Sequence, residues 1–298
     1  MEYIKSPINY TGGKFKLLKD IVPMFPKEID TFVDLFGGSG TVVLNVDAKN
    51  KIYNELNPSI YDIVEVFKIH NKEEIINHIT SRGLEFNLNK KTIAAKDRNE
   101  EIKENYYKFR DYLNYESKTR ALDLLTIHYY AFNNLVRENK NGLFNTPYGN
   151  RSFVLDKHKS SIDNACVKFK DIEICNKDFR NIELNSLNHR DFVYLDPPYL
   201  LSCAEYNKLW GKDIEEEMYD LCDRLTTQGV KWAMSNMLYH KGKEHELLNK
   251  WAKDNNYYIY DVNTKYNGWI SVKNEDYNKT KEILITNYSV VVESEGIA

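Results

Sequence analysis

Residues 31–40 read Thr-Phe-Val-Asp-Leu-Phe-Gly-Gly-Ser-Gly, an apolar run that passes directly into a glycine-rich turn. The β-branched and aromatic residues at 31–35 predict a buried strand, and the Thr-Val-Val-Leu-Asn segment at 41–45 is predicted to open a helix. A second short strand is predicted at 51–53, followed closely by Glu55. This succession of strand, glycine turn, helix, strand and acidic residue is typical of a doubly wound nucleotide-binding sheet.

The glycine turn predicts a ligand that approaches the backbone closely. The full G-x-G-x-x-G pattern is absent because position 43 is Val43, and the Thr-Gly-Gly-Lys segment at 11–14 does not fit a triphosphate-binding loop. A short G-x-G suits a cofactor without a pyrophosphate, and Glu55 stands where a carboxylate can bind ribose hydroxyls. The combination predicts S-adenosylmethionine rather than a dinucleotide. A tight structural turn remains the alternative for the glycines taken alone.

A second motif, Asp-Pro-Pro-Tyr at 196–199, ends another apolar run. An amine conjugated to a ring is a poor nucleophile, and an enzyme activates it by accepting hydrogen bonds from its N–H groups. Asp196 offers a carboxylate acceptor, and Pro197, which has no N–H, offers a bare carbonyl. Tyr199 offers a ring face for a planar base. The motif predicts amine methylation, with a plain turn at a strand end as the alternative.

The composition bounds the class of protein. A chain of 298 residues accommodates one large domain plus a substantial insertion. The formal net charge of -3 provides no global basic field, so a nucleic-acid reader would have to concentrate its positive charge locally. No signal segment or apolar run near the ~20 residues of a membrane span is present, and we expect a soluble, cytoplasmic protein.

The cysteines and histidines do not predict a metal site. The cysteines form no C-x-x-C pair and are expected to be reduced, mostly buried thiols: Cys166, Cys175, Cys203 and Cys222. His240 and His245 lack the H-E-x-x-H arrangement of a zinc protease and are expected at the surface.

Three regions follow one another along the chain. Residues 1–60 and 165–298 alternate strands and helices and are predicted to form one discontinuous catalytic domain, whereas residues 61–164 are charged and mainly helical in period. In the third region strands are predicted at 172–175, 192–195, 230–234, 258–262 and 282–287, with a helix at 213–227. The segment 137–160 has a local charge of +3, from Arg137, Lys140, Arg151, Lys157 and Lys159 against Glu138 and Asp156.

In this order the motifs resemble the Dam family of DNA adenine-N6 methyltransferases, in which the cofactor motif comes first, the target-recognition region second and D-P-P-Y last. The resemblance covers nearly the whole chain. It implies an α/β fold, a doubly wound S-adenosylmethionine-dependent methyltransferase sheet with an inserted, mainly helical DNA-recognition domain at 61–164. It also implies transfer of methyl from S-adenosylmethionine to a flipped adenine, with S-adenosylhomocysteine as product and no metal.

The resemblance implies particular cofactor and catalytic residues. Segment 9–14 resembles the family's W-x-G-G-K, with Tyr10 on the cofactor's adenine and Lys14 near its methionine end. Segment 34–40 resembles P-F-x-G-x-G, and Glu55-Leu56-Asn57 resembles the D-I-N that holds the ribose. The implied cofactor-binding residues are Tyr10, Gly12, Lys14, Asp34, Phe36, Gly38, Gly40, Glu55, Asp178 and Phe179. The implied catalytic residues are Asp196, Pro197, Pro198 and Tyr199.

Residues 132–149 resemble the family's N-G-x-x-R-x-N and G-x-F-N-x-P-x-G block, which implies a groove-reading hairpin at about 133–152. Arg137 would contact a guanine edge, Leu135 and Pro147 a thymine methyl, and Arg151, with Lys157 and Lys159, the phosphates. The implied DNA-binding residues are Asn133, Leu135, Arg137, Asn139, Pro147 and Arg151. The resemblance implies a short duplex motif as the target. Asn9 replaces a lysine that GATC-reading relatives often carry, and Asn134 replaces the usual glycine, so a GATC-like sequence is one of the interpretations that stay open.

Several alternatives stay open at this point. Cytosine-N4 enzymes usually carry Ser at the position of Asp196, and glutamine-amide enzymes usually carry Asn. A DNA-binding module without catalysis and an RNA substrate are further alternatives. Tyr206, Asn207 and Trp210 either close over the flipped base or have a structural role. The expected partners are double-stranded DNA and a cognate restriction endonuclease, with no membrane, for a monomer of bacterial or phage origin.

Overall fold

A computed structural model describes residues 2–89, 95–202, 210–262 and 280–290. The chain divides into two compact units. The first contains Met1–Phe15, Gly38–Leu44 and Glu55–Asn176, and the second contains Lys16–Gly37, Asn45–Asn54 and Lys177–Ala298. This division does not assign catalysis or recognition to either unit. The predicted domain boundaries at 1–60, 61–164 and 165–298 therefore stay a prediction.

The second unit is built on a mixed sheet. Its strands are β1 (Thr31–Asp34), β2 (Asn50–Asn54), β4 (Phe192–Leu195), β5 (Lys231–His240), β6 (Lys243–Glu244), β7 (Tyr258–Val262) and β8 (Lys281–Thr286). They lie in the order β2-β1-β4-β5-β8-β7, with β6 paired to β5. β1 pairs in parallel with β2 and β4, and β4 with β5, whereas β8 runs antiparallel to both β5 and β7.

This topology places the motifs at one edge of the sheet. Asp34 is the last residue of β1, and Asp196 follows the last residue of β4. Because β1 and β4 are parallel neighbours, with Asp34 in register with Tyr194, their carboxyl ends meet at the same edge. Since β8 is antiparallel, its amino-terminal end lies at that edge too.

The strands form because their apolar residues are buried on the sheet. β4 is buried along its whole length, and β8 is buried at every position after Lys281. The helices of this unit are α1 (Leu18–Ile21), α7 (Lys212–Thr227) and α8 (Glu246–Asp254). The apolar faces of α7 and α8 join the same core, through Met218, Cys222 and Leu248 among others.

The first unit is mainly helical. Its elements are α2 (Pro58–Ile69), α3 (Lys72–Glu85), α4 (Ala95–Tyr115), α5 (Arg120–His128), α6 (Leu155–Phe169) and β3 (Ile172–Cys175). α2 begins at Asn57, whose side chain accepts the N–H groups of Ser59 and Ile60, and Pro58 occupies its first turn. Residues 60, 63, 64 and 67 of α2 are buried at helical spacing. No helix among the described residues is long and apolar enough to cross a membrane.

All strands predicted from the sequence are confirmed with bounds within one residue, except that β5 continues six residues past the predicted end at 234, to His240. The helix predicted at 213–227 is α7. The prediction that a helix opens at 41–45 is wrong, because these residues form turns. A single helix-like bond, from Leu44 N–H to the Gly40 carbonyl (3.1 Å), is present. Three successive β-branched residues from Thr41 to Val43 disfavour continuing the helix, and the chain instead leads back to β2.

Candidate active site and nucleic-acid interface

The glycine turn and Glu55 come together in the first unit. Gly38 has a positive φ of 50°, and its N–H donates to Glu55 Oε2 at 2.9 Å. A Cβ on Gly38 would lie 3.1 Å from the Tyr10 ring, so only glycine lets the backbone lie against that ring without displacing it. Gly40 has φ 73°, and a Cβ there would meet Phe169 at 2.6 Å. The glycines therefore serve close packing as well as backbone conformation.

Glu55 is a buried carboxylate, 7% exposed. Burial raises its pKa, and this effect is opposed by backbone N–H groups, including those of Asn57 (2.7 Å, to Oε1) and Gly38. Each carboxylate oxygen has two lone pairs, so hydroxyl donors could also bind here. An aromatic ring, a bare backbone and a buried carboxylate lie in one short region. This set fits an adenosine, which has a planar base and ribose hydroxyls.

The N-terminal segment is ordered by its own hydrogen bonds. Gly13 N–H donates to the Tyr10 carbonyl at 3.1 Å, and Lys14 Nζ donates to the Gly12 carbonyl at 2.9 Å. Lys14 is only 4% exposed, so it is not an ordinary surface lysine. Tyr10, Gly12, Lys14, Gly38, Gly40 and Glu55 thus belong to one unit, in three segments of the chain.

The remaining implied cofactor residues lie in the second unit. Asp34 is 1% exposed at the end of β1. The rings of Phe36, Phe179 and Trp210 form a cluster with centroids 5.5 to 5.9 Å apart. Trp210 therefore packs against two of the implied cofactor residues, a contact that the sequence did not predict.

Asp178 is held by its neighbour Arg180. Arg180 donates from Nε to Asp178 Oδ1 at 2.8 Å and from Nη2 to Oδ2 at 2.7 Å. This bidentate pair holds the pKa of Asp178 below its usual value. An adenine amine would have to share the Asp178 carboxylate with that guanidinium.

The D-P-P-Y residues follow β4 directly. Pro197 is buried, Pro198 is exposed, and Asp196 and Tyr199 are partly exposed. The Tyr199 hydroxyl lies 3.1 Å from Asp196 Oδ1, and the Tyr199 carbonyl accepts from the N–H and Oγ of Ser202. The turn thus presents a carboxylate and a tyrosine ring from adjacent positions at the sheet edge.

A third side chain completes this arrangement. Glu282, at the start of β8, is 4% exposed, and its Oε1 accepts from the Tyr199 hydroxyl at 2.9 Å. Although the Tyr199 residue keeps partial exposure, its hydroxyl end is enclosed. Burial, followed by the charges of Asp196 and Glu282, raises the pKa of Tyr199 well above its usual value. The phenol therefore keeps its proton at neutral pH.

The predicted hairpin is present in the first unit. Bridges pair Ala131 with Tyr148 and Glu138 with Phe144. α4 holds its second arm, because Asn114 exchanges two hydrogen bonds with the Phe144 backbone (2.9 and 3.0 Å). Phe144 itself is 1% exposed. A buried residue whose backbone N–H and carbonyl are both anchored gives the exposed tip a fixed base.

Five of the implied DNA-binding residues are exposed: Asn133, Arg137, Asn139, Pro147 and Arg151, with Leu135 partly so. Arg137 is held across the hairpin by Asn145, through Nε to Oδ1 at 2.8 Å. Asn139 accepts from two N–H groups of the tip, those of Asn141 and Leu143, so it stabilises the turn.

The two departures from the family pattern are both accommodated. Asn134 takes a left-handed φ of 53°, a conformation that asparagine tolerates better than other non-glycine residues, and Arg151 donates to its Oδ1 at 2.9 Å. Asn9 is tied to the same place, because its Nδ2 donates to the Asn133 carbonyl at 2.7 Å. The replaced residues therefore join the base of the hairpin rather than disrupt it.

Some functional candidates escaped the sequence analysis. Glu282 is an acidic residue in an otherwise apolar strand, which is a signal of a special role. The neighbouring sequence, however, did not indicate that its partner is Tyr199. Phe132, 50% exposed at the base of the hairpin, was assigned no role. Tyr206 and Asn207 lie outside the described residues.

The expectation for the histidines is wrong at one position. His245 is 2% exposed, because its Nε2 bonds Glu215 at 3.0 Å and its Nδ1 accepts the Leu248 N–H at the start of α8. His240 is only partly exposed. Of the cysteines that the structure describes, Cys166 and Cys222 are buried and Cys175 is partly so, and all three are free thiols. Within the described ranges no group of three or more metal-binding side chains is assembled.

Comparison with known proteins finds a family whose sequence profile matches most of this chain. Residues 10–267 match the sequence profile of the D12 class of N6 adenine-specific DNA methyltransferases. The chain is 37% identical over 296 residues to type II methyltransferase M.FokI of Planomicrobium okeanokoites, and 34% identical over 296 residues to modification methylase StsI of Streptococcus sanguinis. Each match covers 96% of this chain and 43% of the relative. This chain is also 26% identical over 204 residues to the DNA adenine methylase of Haemophilus influenzae, a match that covers 64% of this chain and 63% of that protein. The chain thus spans less than half the length of the first two relatives.

Proposed function

The chain belongs to the D12 class of N6 adenine-specific DNA methyltransferases, and from that membership we propose that it methylates N6 of adenine in a short duplex DNA motif. The observation that carries the proposal is the position of Asp196 and Tyr199 at the carboxyl end of β4, where both are partly exposed and the Tyr199 hydroxyl lies 3.1 Å from Asp196 Oδ1. A carboxylate beside an aromatic ring suits a planar base that bears an amine. The adenine-specific class favours adenine over cytosine as the target.

The methyl donor we propose is S-adenosylmethionine. In the first unit, Tyr10, Gly38 and Glu55 would hold its adenosine. Phe36 and Phe179 are assigned to the cofactor by the family resemblance alone. When bound, this cofactor supplies an electrophilic methyl group. Asp34, Asp178, Gly12, Lys14 and Gly40 complete the proposed set, for which the buried Glu55 carboxylate is the most specific support.

The chain's own residues would activate the amine. Asp196 would accept one N–H of the adenine amine and the Pro197 carbonyl the other, which localises the nitrogen lone pair. The Tyr199 ring would stack on the base, which must leave the duplex to reach this turn. Direct attack of the amine on the methyl group requires neither a metal nor a covalent enzyme intermediate, so positioning and electrostatics would supply most of the rate.

Recognition would reside in the hairpin. Arg137, held by Asn145, is presented with a fixed guanidinium plane that suits a guanine edge. Leu135 and Pro147 offer apolar contacts to a thymine methyl. Arg151, together with the lysines at 157 and 159, would bind phosphates, and Phe132 offers a ring face for stacking. One relative is named a modification methylase, and this name favours a role for the present chain alongside a restriction endonuclease of the same specificity.

The test is transfer of labelled methyl from S-adenosylmethionine to unmethylated genomic DNA, with single-molecule sequencing of the product. We expect N6-methyladenine in one short motif. Asp196→Ala should lower kcat at least about 100-fold while cofactor binding is kept. Asp254→Ala, an exposed carboxylate at the end of α8, is the matched control and should retain full activity. Methylcytosine in the product, or full turnover by Asp196→Ala, would contradict the proposal.

A further inference from the structure

The topology brings a buried acid to the proposed catalytic turn from a distant part of the chain. Glu282 is 83 residues from Tyr199, and the two meet because β8 lies beside β5 and β5 beside β4. Glu282 is in register with Met237 of β5 and Val262 of β7. Two neighbouring strands therefore fix its backbone, and its position does not depend on a loop.

The hydroxyl of Tyr199 stands between two carboxylates. It lies 2.9 Å from Glu282 Oε1 and 3.1 Å from Asp196 Oδ1. A phenol carries a single proton, so it donates fully to only one of them. The shorter distance favours Glu282. The phenol stays protonated, since burial and both negative charges raise the pKa of Tyr199 well above its usual value.

We propose that Glu282 is a positioning residue that draws the Tyr199 proton away from Asp196, so that this proton does not compete with the target amine for the Asp196 carboxylate. This inference rests on the proposed function. A carboxylate oxygen that accepts a strong hydrogen bond from a phenol is a weaker acceptor for a second donor. Glu282 also anchors the hydroxyl end of Tyr199, which holds its ring at one angle for the base.

The proposal predicts an unusual relation between two substitutions. In Glu282→Ala the phenol loses its Glu282 acceptor and donates to Asp196, so kcat should fall about tenfold, with less than a twofold change in KM for DNA. Adding Tyr199→Phe removes the competing proton and keeps the ring. The double variant should therefore turn over at least about threefold faster than Glu282→Ala. Glu282→Gln, which keeps the shape and a neutral acceptor, should lie between wild type and Glu282→Ala.

Steady-state kinetics of these variants test the role, with Glu246→Ala, an exposed acid of α8, as the control expected to match wild type. A merely structural Glu282 would give independent effects, and the double variant would then be slower than Glu282→Ala. That result, or a wild-type kcat in Glu282→Ala, would overturn the proposal. If Glu282→Ala does not fold by circular dichroism, the same comparison is made with Glu282→Gln.

A spectroscopic measurement separates this inference from the proposed function. In protein labelled with ¹³C at tyrosine Cζ, the Tyr199 resonance is identified by its loss in Tyr199→Phe. It should move in Glu282→Gln without DNA or cofactor present. An active enzyme whose Tyr199 resonance and kcat are both unchanged in Glu282→Gln would overturn the role of Glu282 alone. A wild-type protein that transfers no methyl, with the resonance still moving, would overturn the proposed function and the catalytic role while keeping the hydrogen bond.

Discussion

At the scale of single residues, the ionised form of Glu55 lowers the stability of the fold, although it would favour binding of the proposed ligand. Burial raises its pKa, so the folded protein favours the protonated form more than the unfolded chain does. Its ionisation therefore removes stability as the pH rises through the folded-state pKa. The N–H groups of Gly38 and Asn57 offset part of this loss. A carboxylate kept at such a position is more useful for a ligand than for the fold.

Glu55→Gln should weaken cofactor binding more than it weakens the fold. The amide nitrogen would face one of the two N–H donors, so the Gly38 turn loses a hydrogen bond and ribose hydroxyls lose a charged acceptor. We expect the affinity for S-adenosylhomocysteine, measured by calorimetry, to fall about tenfold or more. Glu73→Gln, an exposed acid of α3, is the control. Unchanged affinity in Glu55→Gln would contradict the assignment of Glu55.

At the scale of elements, the hairpin at about 133–152 depends on one close backbone approach. A Cβ at Gly149 would lie 2.3 Å from the Ala131 carbonyl oxygen, and Gly149 N–H donates to the Tyr130 carbonyl at 2.9 Å. A backbone atom cannot move aside as a flexible side chain can. Glycine at 149 is therefore required by the packing of the hairpin base.

Gly149→Ala should separate the two arms of the hairpin at the Ala131–Tyr148 bridge. Because Arg137 would then lose its fixed position, DNA affinity at constant salt should fall at least about tenfold, while S-adenosylhomocysteine binding is unchanged. Fluorescence anisotropy with a cognate duplex measures the first and calorimetry the second. Gly211→Ala, where an added Cβ meets nothing within 4 Å, is the control and should bind DNA normally. Normal DNA binding by Gly149→Ala would show that the hairpin does not hold the DNA.

At the scale of the whole molecule, the second unit contains a buried polar network centred on Glu215. This carboxylate is fully buried and accepts from four side chains, at 2.6 to 3.3 Å: Trp210, Tyr219, Asn236 and His245. The network connects α7, β5, the start of α8 and the aromatic cluster beside Phe36. Although burial acts to raise the pKa of Glu215, these donors lower it overall.

Acid should therefore destabilise this unit through Glu215. A lowered folded-state pKa stabilises the protein above the unfolded value, near 4.5, and that contribution is lost as the pH falls through the folded pKa. Glu215→Gln should lower the free energy of unfolding by about 3 kcal/mol at pH 7 and flatten its dependence below pH 4.5. Urea unfolding followed by tryptophan fluorescence measures both. Glu216→Gln, exposed on the same helix, is the control and should leave the free energy of unfolding and its pH dependence unchanged. If Glu215→Gln and the wild type were equally sensitive to acid, Glu215 would not be the source of the acid sensitivity.

The sequence by itself determined the strands, the order of the motifs and the chemical types present at the proposed site. These signals are local: apolar runs such as 31–35 and 192–195, glycines at a turn, and Asp-Pro-Pro-Tyr at a strand end. Local reasoning failed at 41–45, where the nucleotide-binding pattern outweighed the low helix propensity of three β-branched residues. It also failed at His245, whose burial depends on a partner 30 residues away.

Only the tertiary structure decided which polar groups meet. Tyr199 reaches Glu282 because the strand order β4-β5-β8 is not the chain order and because β8 runs antiparallel to β5. The first residues of β8 therefore lie at the edge of the sheet where β4 ends. Periodicity and spacing report on neighbours along the chain, whereas a hydrogen bond across a sheet depends on strand order, direction and register together. These three are set by the packing of the whole core, and no single stretch of sequence specifies them.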